Sequence, residues 1–243
     1  MDSTSDDEPI TLSGHALAAL QEFKKDEERR VERFNSLLSE SEKNFELRKA
    51  ITIDEFKEDW QLSQFWYDDA TSETLAKAVT EGSDENTVIA IASAPSVYAA
   101  LLKLPKEDVP TNHIYLLEYD QRFKALGGDK FFAYDYNNPH AIPECLRNKV
   151  NRLIVDPPFL ESECQQKTAI AAHNLLNKDK SSISESGDLQ YKLISSTGER
   201  MKDVVKANYP DCHMTDFYPQ HKNGLSNEFR CYASFECPYW KFV

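Results

Sequence analysis

The residues Asp156-Pro157-Pro158-Phe159 place an acid, a rigid corner and an aromatic ring directly after the short apolar run 151–155. The apolar run predicts a buried strand, and the two prolines must end it because proline supplies no N–H to a sheet. The Asp156 carboxylate and the Pro157 carbonyl could accept hydrogen bonds from an amine, and Phe159 could stack on the group that carries it. The tetrapeptide therefore predicts an amine site at the carboxyl end of a strand, where ligands bind in open α/β sheets. The alternative is a purely structural strand-to-turn corner.

Polar groups also follow the three preceding strands of the predicted sheet. Ser93-Ala94-Pro95-Ser96 follows the first strand, where small residues let the backbone approach a ligand and a helix begins at once. Glu118 ends the second strand, where a carboxylate with two acceptor oxygens suits the two hydroxyls of a ribose. Asp135 ends the third strand and could meet a base, with Tyr134 or Tyr136 packing on its ring. Four consecutive strand ends therefore predict a site for a nucleotide-like cofactor. At each position a plain surface or turn residue is the alternative.

A regular alternation of strands and helices must position these residues. Strands are predicted at residues 87–93, 113–119, 130–136, 152–155, 191–196, 212–218 and 228–235, with helices at 95–102, 162–176 and 198–208. Strands separated by helices imply right-handed crossovers and parallel pairing. The last two strands are separated by a hydrophilic loop with Gly224, which favours an antiparallel pair. The sequence predicts an α/β fold with seven strands, mostly parallel, ending in an antiparallel hairpin.

The bulk composition is that of a folded acidic protein. The chain has 243 residues, 40% of them hydrophobic, and a net charge of −13. The negative charge counts against sequence-independent binding to nucleic acid, which depends on neutralising phosphates. It is compatible with a basic protein partner or with solubility alone.

Targeting signals and cysteine usage indicate a cytoplasmic protein. We expect no membrane association, because no run approaches the ~20 apolar residues that span a bilayer and the acidic start is unlike a leader. The five cysteines contain no Cys-x-x-Cys pair, so we expect reduced thiols and no metal site. Cys212-His213 could be a ligand pair, but no second pair has ligand spacing.

The N-terminal third differs from the alternating region. We expect a disordered tail over residues 1–9, a helical segment over 10–80 that packs on the core, and a catalytic domain over 81–243. Leu17, Val31, Leu38 and Phe45 fall near a seven-residue repeat within a long helix predicted from Ile10 to about Lys49. Pairing with a partner and guiding a substrate are the alternatives for this helix. Thr71-Ser72-Glu73-Thr74 is predicted to cap a shorter helix that ends near residue 79.

Several motifs together resemble one family. The tetrapeptide resembles the motif of amino-methyltransferases that use S-adenosylmethionine, and the strand order resembles the seven-strand methyltransferase fold. Residues 59–67, 93–98, 117–120 and 155–160 together resemble a eukaryotic family first labelled as N6-adenine methyltransferases, over roughly residues 50 to 243. Members of that family carry the serine-alanine-proline turn where other methyltransferases have glycines. Its better-supported members methylate a lysine on translation elongation factor 1 alpha.

The resemblance implies a role for each candidate residue. S-adenosylmethionine would be bound by Ser93, Ala94, Pro95, Ser96, Glu118, Asp135, Tyr136 and Asp156. Catalysis would be carried by Asp156, Pro157 and Phe159. The acceptor lysine would meet Pro158, Phe159, Trp66, Tyr67 and Tyr218. The implied partner is elongation factor 1 alpha, and we expect a monomer.

Two other functions stay open from sequence alone. A nucleic-acid adenine methyltransferase would fit the tetrapeptide, since an exocyclic amine could be flipped into such a pocket, but the chain has no basic stripe. A non-catalytic scaffold that has kept the fold is the second alternative. The aromatic residues Trp60, Phe65, Trp66 and Tyr67 are either a core patch or part of a pocket. The loop after Tyr218 either touches the substrate or is a simple hairpin connection.

Overall fold

Seven strands form one mixed sheet. The computed structural model describes residues 14–41 and 51–243. The strands are β1 Ile89–Ala92, β2 Ile114–Glu118, β3 Phe131–Ala133, β4 Arg152–Val155, β5 Lys192–Gly198, β6 His213–Met214 and β7 Phe229–Ala233. Their order is β3-β2-β1-β4-β5-β7-β6. The five strands from β3 to β5 pair in parallel, and β7 is antiparallel to both β5 and β6. The predicted α/β fold is confirmed.

Helices cover both faces of the sheet. They are α1 Gly14–Ser41, α2 Asp69–Thr80, α3 Pro95–Lys103, α4 Lys124–Gly127, α5 Ser162–Leu175 and α6 Lys202–Asn208. Alternate residues of the central strands belong to different cores: Ile89 and Ile91 pack towards α2 and α3, and Ala90 and Ala92 pack towards α5. Because both of its faces are buried, β1 is apolar throughout. The strand order reverses between β1 and β4, and this switch point is where ligands bind in such sheets.

Several elements depart from the sequence prediction, among them the third strand, which was predicted over 130–136 and spans Phe131–Ala133. β4 lies where it was predicted, but β6 has two residues, because the next residue, Thr215, pairs with Phe242 near the C-terminus. The helix expected over 198–208 begins later, since β5 continues to Gly198 and a 3-10 turn precedes α6. The cap predicted at residues 71–74 is wrong: Asp68 caps α2 by accepting a hydrogen bond from Thr71 N at 2.7 Å.

The N-terminal helix α1 exposes an apolar face. Leu17, Leu20 and Phe23 are all exposed, and the helix contacts α4 near the start of β3. Arg33 pairs with Glu55 at 2.9 Å. The predicted tail 1–9 and the predicted ends of the long helix, at 10–13 and 42–49, lie outside the described residues. In the part of the chain that is described, no helix has the length and hydropathy needed to cross a membrane.

Candidate active site

A cavity of about 700 Å³ opens at the carboxyl ends of β1, β2 and β4. It brings together most of the residues predicted from the sequence, although they are distributed over some 90 positions of the chain. The predicted residues that line it are Trp66, Ser93, Ala94, Pro95, Ser96, Glu118, Asp135, Tyr136, Asp156, Pro157, Pro158 and Phe159. Two predicted residues, Tyr67 and Tyr218, lie outside the lining.

The turn after β1 takes a conformation that usually needs glycine. Ser93 has φ of 59°, in the left-handed region, and its N–H donates to the carbonyl of Leu117 at 2.9 Å. A non-glycine residue in this region costs of order 1 kcal/mol or more, a strain the surrounding sheet has to hold. Ala94 stands at the N-cap of α3 without a capping side chain, and Pro95 is at the first turn. The turn therefore presents backbone and a helix N-terminus to the cavity, which suits a polar or anionic group.

Glu118 at the end of β2 is a buried carboxylate in the cavity wall. It is 6% exposed, and its Oε1 accepts hydrogen bonds from the N–H groups of Tyr119 at 2.9 Å and Asp120 at 3.2 Å. Because both bonds go to one oxygen, the other is available to a ligand. Burial raises the pKa of Glu118 to about 7. The Glu118 carboxylate is suited to accept hydrogen bonds from two hydroxyl groups of a ligand, and a positive charge on that ligand would favour the ionised form.

Asp156 is the first residue beyond β4 and faces the same cavity. Its N–H donates to the carbonyl of Ala92 at 3.1 Å, which fixes the point where the chain leaves the sheet. Burial raises its pKa to about 7; a hydrogen bond with Tyr67 acts in the opposite direction, and the nearby charge of Glu118 adds to the increase. The two acids therefore share one poorly solvated site and resist ionising together.

The prolines and Phe159 are held by groups that the sequence prediction did not include. Gln165, buried in α5, donates to the carbonyl of Phe159 at 3.2 Å and to Thr197 Oγ1 at 3.0 Å. Arg200 donates to the carbonyl of Leu160 at 3.0 Å. Among the described residues none donates to the carbonyl of Pro157, so this oxygen is available to a ligand beside Asp156.

The residues after β3 also line the cavity. Asp135 accepts from the N–H of Asn137 at 2.8 Å and from the side chain of Asn138 at 3.1 Å, so both of its oxygens hold the local turn. Each oxygen retains a second lone pair for a ligand. The ring of Tyr136 lies 5.8 Å from that of Phe159. Tyr134 is buried and lines the cavity as well.

The aromatic segment before α2 belongs partly to the core and partly to the cavity. Trp66 is buried and its indole donates to the carbonyl of Phe56 at 2.9 Å, yet it also lines the cavity beside Phe65. Trp60 is 75% exposed. Gln64, which was not predicted, donates to Asp120 at 3.0 Å and so attaches this segment to the end of β2. Of the rings left open between a core patch and a pocket, Trp66 therefore belongs to both, Phe65 lines the pocket, and Trp60 lies on the surface.

Tyr67 lies behind the cavity wall. It is 1% exposed, its hydroxyl is 2.7 Å from Ser196 Oγ on β5, and it interacts with Asp156. Burial raises the pKa of Tyr67 well above its usual value. Its position is suited to orienting Asp156 and not to touching a ligand. Tyr218 is 52% exposed and the Arg230 guanidinium stacks on its ring at 3.8 Å.

The loop between β6 and β7, which the sequence left open as a substrate contact or a simple hairpin connection, lies against the cavity. His221, Leu225, Ser226 and Asn227 line the cavity, as does Phe229 at the start of β7. Sequence reasoning singled out neither His221 nor Phe229. The signal it lacked is pairing with a distant segment: residue 221 forms a bridge with Tyr67, and Lys222 N–H donates to the carbonyl of Trp66 at 2.9 Å.

Taken together, the geometry provides two sets of polar groups in one cavity. The turn at residues 93–96 and Glu118 suit the polar parts of a nucleoside. Asp156 and the Pro157 carbonyl suit an amine, with Phe159 beside it. Such an arrangement can hold a donor and an amine acceptor in contact, and alignment of two reactants is a large part of catalysis for group transfer.

Comparison with known proteins assigns the chain to a family. Residues 58–237 match the family described as "Probable N6-adenine methyltransferase". The Saccharomyces cerevisiae protein named "Protein-lysine N-methyltransferase EFM5" is 53% identical over 96% of this chain and 95% of its own. The Homo sapiens protein named "EEF1A lysine methyltransferase 1" is 37% identical over 97% of each chain.

A solved structure from Corynebacterium glutamicum is 12% identical and covers 71% of this chain and 84% of that chain, with a TM-score of 0.37, too low to support an argument. The family match spans most of the chain, and its relatives match it nearly end to end. The chain therefore belongs to this methyltransferase family, whose curated relatives are named as protein-lysine N-methyltransferases.

Proposed function

We propose that this protein is an S-adenosylmethionine-dependent protein-lysine N-methyltransferase that acts on translation elongation factor 1 alpha. The observation that carries the proposal is the shared cavity in which Asp156 and the Pro157 carbonyl face an amine site next to Glu118 and the Ser93 turn. The names of the relatives support the substrate class, because they specify lysine and, for the human protein, EEF1A.

The cavity fits the proposed cofactor. S-adenosylmethionine, when bound, supplies an electrophilic methyl group on a positively charged sulfur. Glu118, with one oxygen free of the described hydrogen bonds, would accept from the ribose hydroxyls. The turn at residues 93–96 leaves backbone at the surface because its side chains are small. Asp135 and Tyr136 would lie at the adenine end.

Asp156 would orient the attacking nitrogen. A free lysine has a pKa of about 10.4 and is mostly charged at neutral pH, so the site must favour the neutral amine. Burial in the cavity lowers an amine pKa, and Asp156 and Pro157 would accept the two N–H bonds so that the lone pair is directed away from them. Phe159 would pack on the lysine stem and face the positive charge that develops on nitrogen. The surplus proton leaves to solvent, so no strong general base is needed.

The acidity of the protein supports a protein substrate over nucleic acid. The net charge of −13 opposes the phosphate contacts on which nucleic-acid binding depends. We further propose a monomeric, cytoplasmic enzyme; its five cysteines are all free thiols, which suits a reducing compartment.

The experiment is a methyl-transfer assay with radiolabelled S-adenosylmethionine and three separate acceptors: elongation factor 1 alpha, duplex DNA and total RNA. We expect label on the elongation factor, mapped to lysine by mass spectrometry. Asp156→Ala should lower the rate by about 100-fold or more, since misplacing a reacting group costs about that much. Glu161→Ala is the matched control, because Glu161 is an acid of the same cavity wall but is exposed.

Three outcomes would contradict the proposal. Label on adenine would assign the reaction to nucleic acid. Undiminished labelling by Asp156→Ala would remove the role given to that carboxylate. No transfer to any of the three acceptors, by a folded protein that binds S-adenosylmethionine, would exclude all three substrate classes.

A further inference from the structure

His221 is a cavity residue that the proposed reaction has not yet used. It lies in the loop between β6 and β7 and lines the same cavity as Asp156 and Phe159. Its ring is held between two others: the centroid is 4.7 Å from that of Tyr67 and 4.6 Å from that of Phe229, with the latter contact edge-on. Because both neighbours are themselves packed, the orientation of the imidazole is fixed.

The loop around His221 is anchored to the segment before α2. Asp68 N–H donates to the carbonyl of Gln220 at 2.9 Å, and Lys222 Nζ pairs with Asp54 at 2.7 Å and Asp69 at 3.1 Å. Asn223 donates to Glu58 at 2.8 Å. These contacts lie on both sides of His221 along the chain, so the ring is presented to the cavity by a fixed backbone.

The imidazole is a neutral ring with no polar partner of its own. Among the described residues none forms a hydrogen bond with either ring nitrogen. Burial lowers the pKa of His221 to about 4, although Glu58 and Asp68 act in the opposite direction. The ring is therefore uncharged at neutral pH. Its contacts with the cavity are those of an aromatic surface, like those of Phe229 and Phe159.

An uncharged ring suits a wall beside which a positive charge moves. Under the proposed function one positive charge would pass from the sulfur of the donor, whose bond to the methyl carbon breaks, to the nitrogen of the acceptor amine, which forms the new bond. An imidazolium would repel this charge at either atom. A neutral aromatic ring attracts a cation that lies on its face. A ring held between other rings shields a neighbouring cation from water.

We propose that His221 is a further substrate-contacting residue, forming with Phe159 and Phe229 an aromatic wall around the methyl-accepting amine. This inference rests on the proposed function, because the cation it would contact is the amine of that reaction. It assigns to His221 the role of a ring and not that of a base or a hydrogen-bond acceptor.

A series of substitutions separates the ring from its charge and its nitrogen atoms. His221→Phe keeps an aromatic ring and should retain kcat/KM for the acceptor within about 3-fold. His221→Ala removes the ring and should lower kcat/KM about 10-fold, in the range of a partly desolvated cation–π contact. His221→Lys adds a fixed charge and should lower it about 100-fold. His213→Phe is the matched control, because His213 also packs on an aromatic ring, that of Phe242 at 4.8 Å, but lies on the edge strand β6.

The measurements must report more than turnover. Thermal unfolding of each variant checks the fold, and calorimetric titration with S-adenosylhomocysteine should give a Kd within about 3-fold of the parent for the Phe and Ala variants. Without any turnover, the ring C–H resonances of His221 should shift when acceptor protein is added to the complex with S-adenosylhomocysteine. The resonances of His213 should not shift.

The outcomes distinguish this inference from the proposed function. If the parent methylates lysine but His221→Phe loses as much activity as His221→Ala while both bind S-adenosylhomocysteine, the nitrogen atoms matter and the aromatic wall is wrong. Near-parent activity of His221→Ala or His221→Lys would also overturn it. If the parent methylates adenine, the proposed function fails. The kcat/KM values of the same His221 variants for the adenine acceptor then still decide the role of His221. Failure of the parent to methylate any acceptor overturns both.

Discussion

The cavity has two sides that are built in different ways. The donor side consists of the turn at residues 93–96, which follows β1, of Glu118, the last residue of β2, and of Asp135, two residues beyond β3. The acceptor side consists of the loop at residues 156–159 and, from elsewhere in the chain, Tyr67, His221 and Phe229. On the donor side the sheet alone brings the residues together, because parallel strands end at one edge. The acceptor side is also held by packing between distant segments.

Both sides nevertheless carry the same electrostatic cost. Each contains one buried acid whose pKa burial raises to about 7, Glu118 on the donor side and Asp156 on the acceptor side. In the empty protein these acids are destabilising when ionised. A ligand that brings positive charge would relieve both, so the donor side and the acceptor side are coupled through charge even though they are assembled independently.

The largest expected effect tests whether the two acids carry an equal electrostatic cost. It is the pH dependence of the free energy of unfolding. Between about pH 4 and pH 7 the folded protein binds more protons at these two sites than the unfolded chain does, so its free energy of unfolding falls as pH rises and levels off above pH 7. At about 1.4 kcal/mol per pKa unit, the combined loss for two acids whose pKa values both rise from about 4 to about 7 is on the order of 8 kcal/mol. We expect Glu118→Gln and Asp156→Asn, which mimic the protonated acids, each to remove about half of it. Urea unfolding at pH 5 and pH 8 measures the difference.

Unequal contributions of Glu118 and Asp156 to this pH dependence would contradict the equal electrostatic cost of the two sides. If Asp156→Asn alone removed the whole pH dependence, Glu118 would have to be stabilised by its two backbone hydrogen bonds more than its burial costs. If neither variant changed the difference between pH 5 and pH 8, the two carboxyls would titrate at ordinary values and the electrostatic part of the comparison would be wrong.

A smaller effect separates the two sides by function. Glu118→Ala should raise the Kd for S-adenosylmethionine about 10- to 100-fold, because a hydrogen bond to a charged group is worth about 1.5–3 kcal/mol. Asp156→Ala should change that Kd much less than Glu118→Ala does, while lowering the rate of methyl transfer by about 100-fold or more. Calorimetric titration of both variants is the measurement. An unchanged Kd for Glu118→Ala would remove the ribose role from this residue.

What the sequence could predict follows the same division. The sheet and the donor side were predictable, because apolar runs mark buried strands and the polar residue after each strand needs no further information to be placed. Asp156–Phe159 was predictable for the same reason. His221, Phe229 and Gln64 were not, since their positions depend on the loop 219–228 and the segment 59–67 packing together across the sheet edge. Tyr67 was predicted as a substrate contact, but its burial behind Asp156 appears only in three dimensions.

The support beneath the acceptor side can be tested by removing one buried amide. Gln165→Leu deletes the hydrogen bonds to the Phe159 carbonyl and Thr197, and should lower kcat about 10-fold with the Kd for S-adenosylmethionine unchanged. Gln190→Leu is the matched control: Gln190 is also a buried amide, bonded to Asp84 and Thr87 at 2.8 Å, but neither of these partners lines the cavity, whereas Phe159 does. We expect a similar loss of stability for both and a loss of turnover for Gln165→Leu alone. Equal turnover losses would mean that general destabilisation, not support of Phe159, explains the effect.

The smallest effect concerns the donor side, where Ser93 stands in a left-handed conformation with φ of 59°. Ser93→Gly relieves the strain of a side chain in that region but gives the unfolded chain more freedom, and the two changes, each about 1 kcal/mol, should nearly cancel. Ser93→Val should be destabilising by more than 1 kcal/mol, because a β-branched residue is poorly tolerated there. Ser63, also left-handed at φ of 54°, is the control, since it should respond to both substitutions with the same signs. If Ser93→Val were as stable as the parent, the turn would be free to relax, and the donor side would be less rigid than the sheet that carries it.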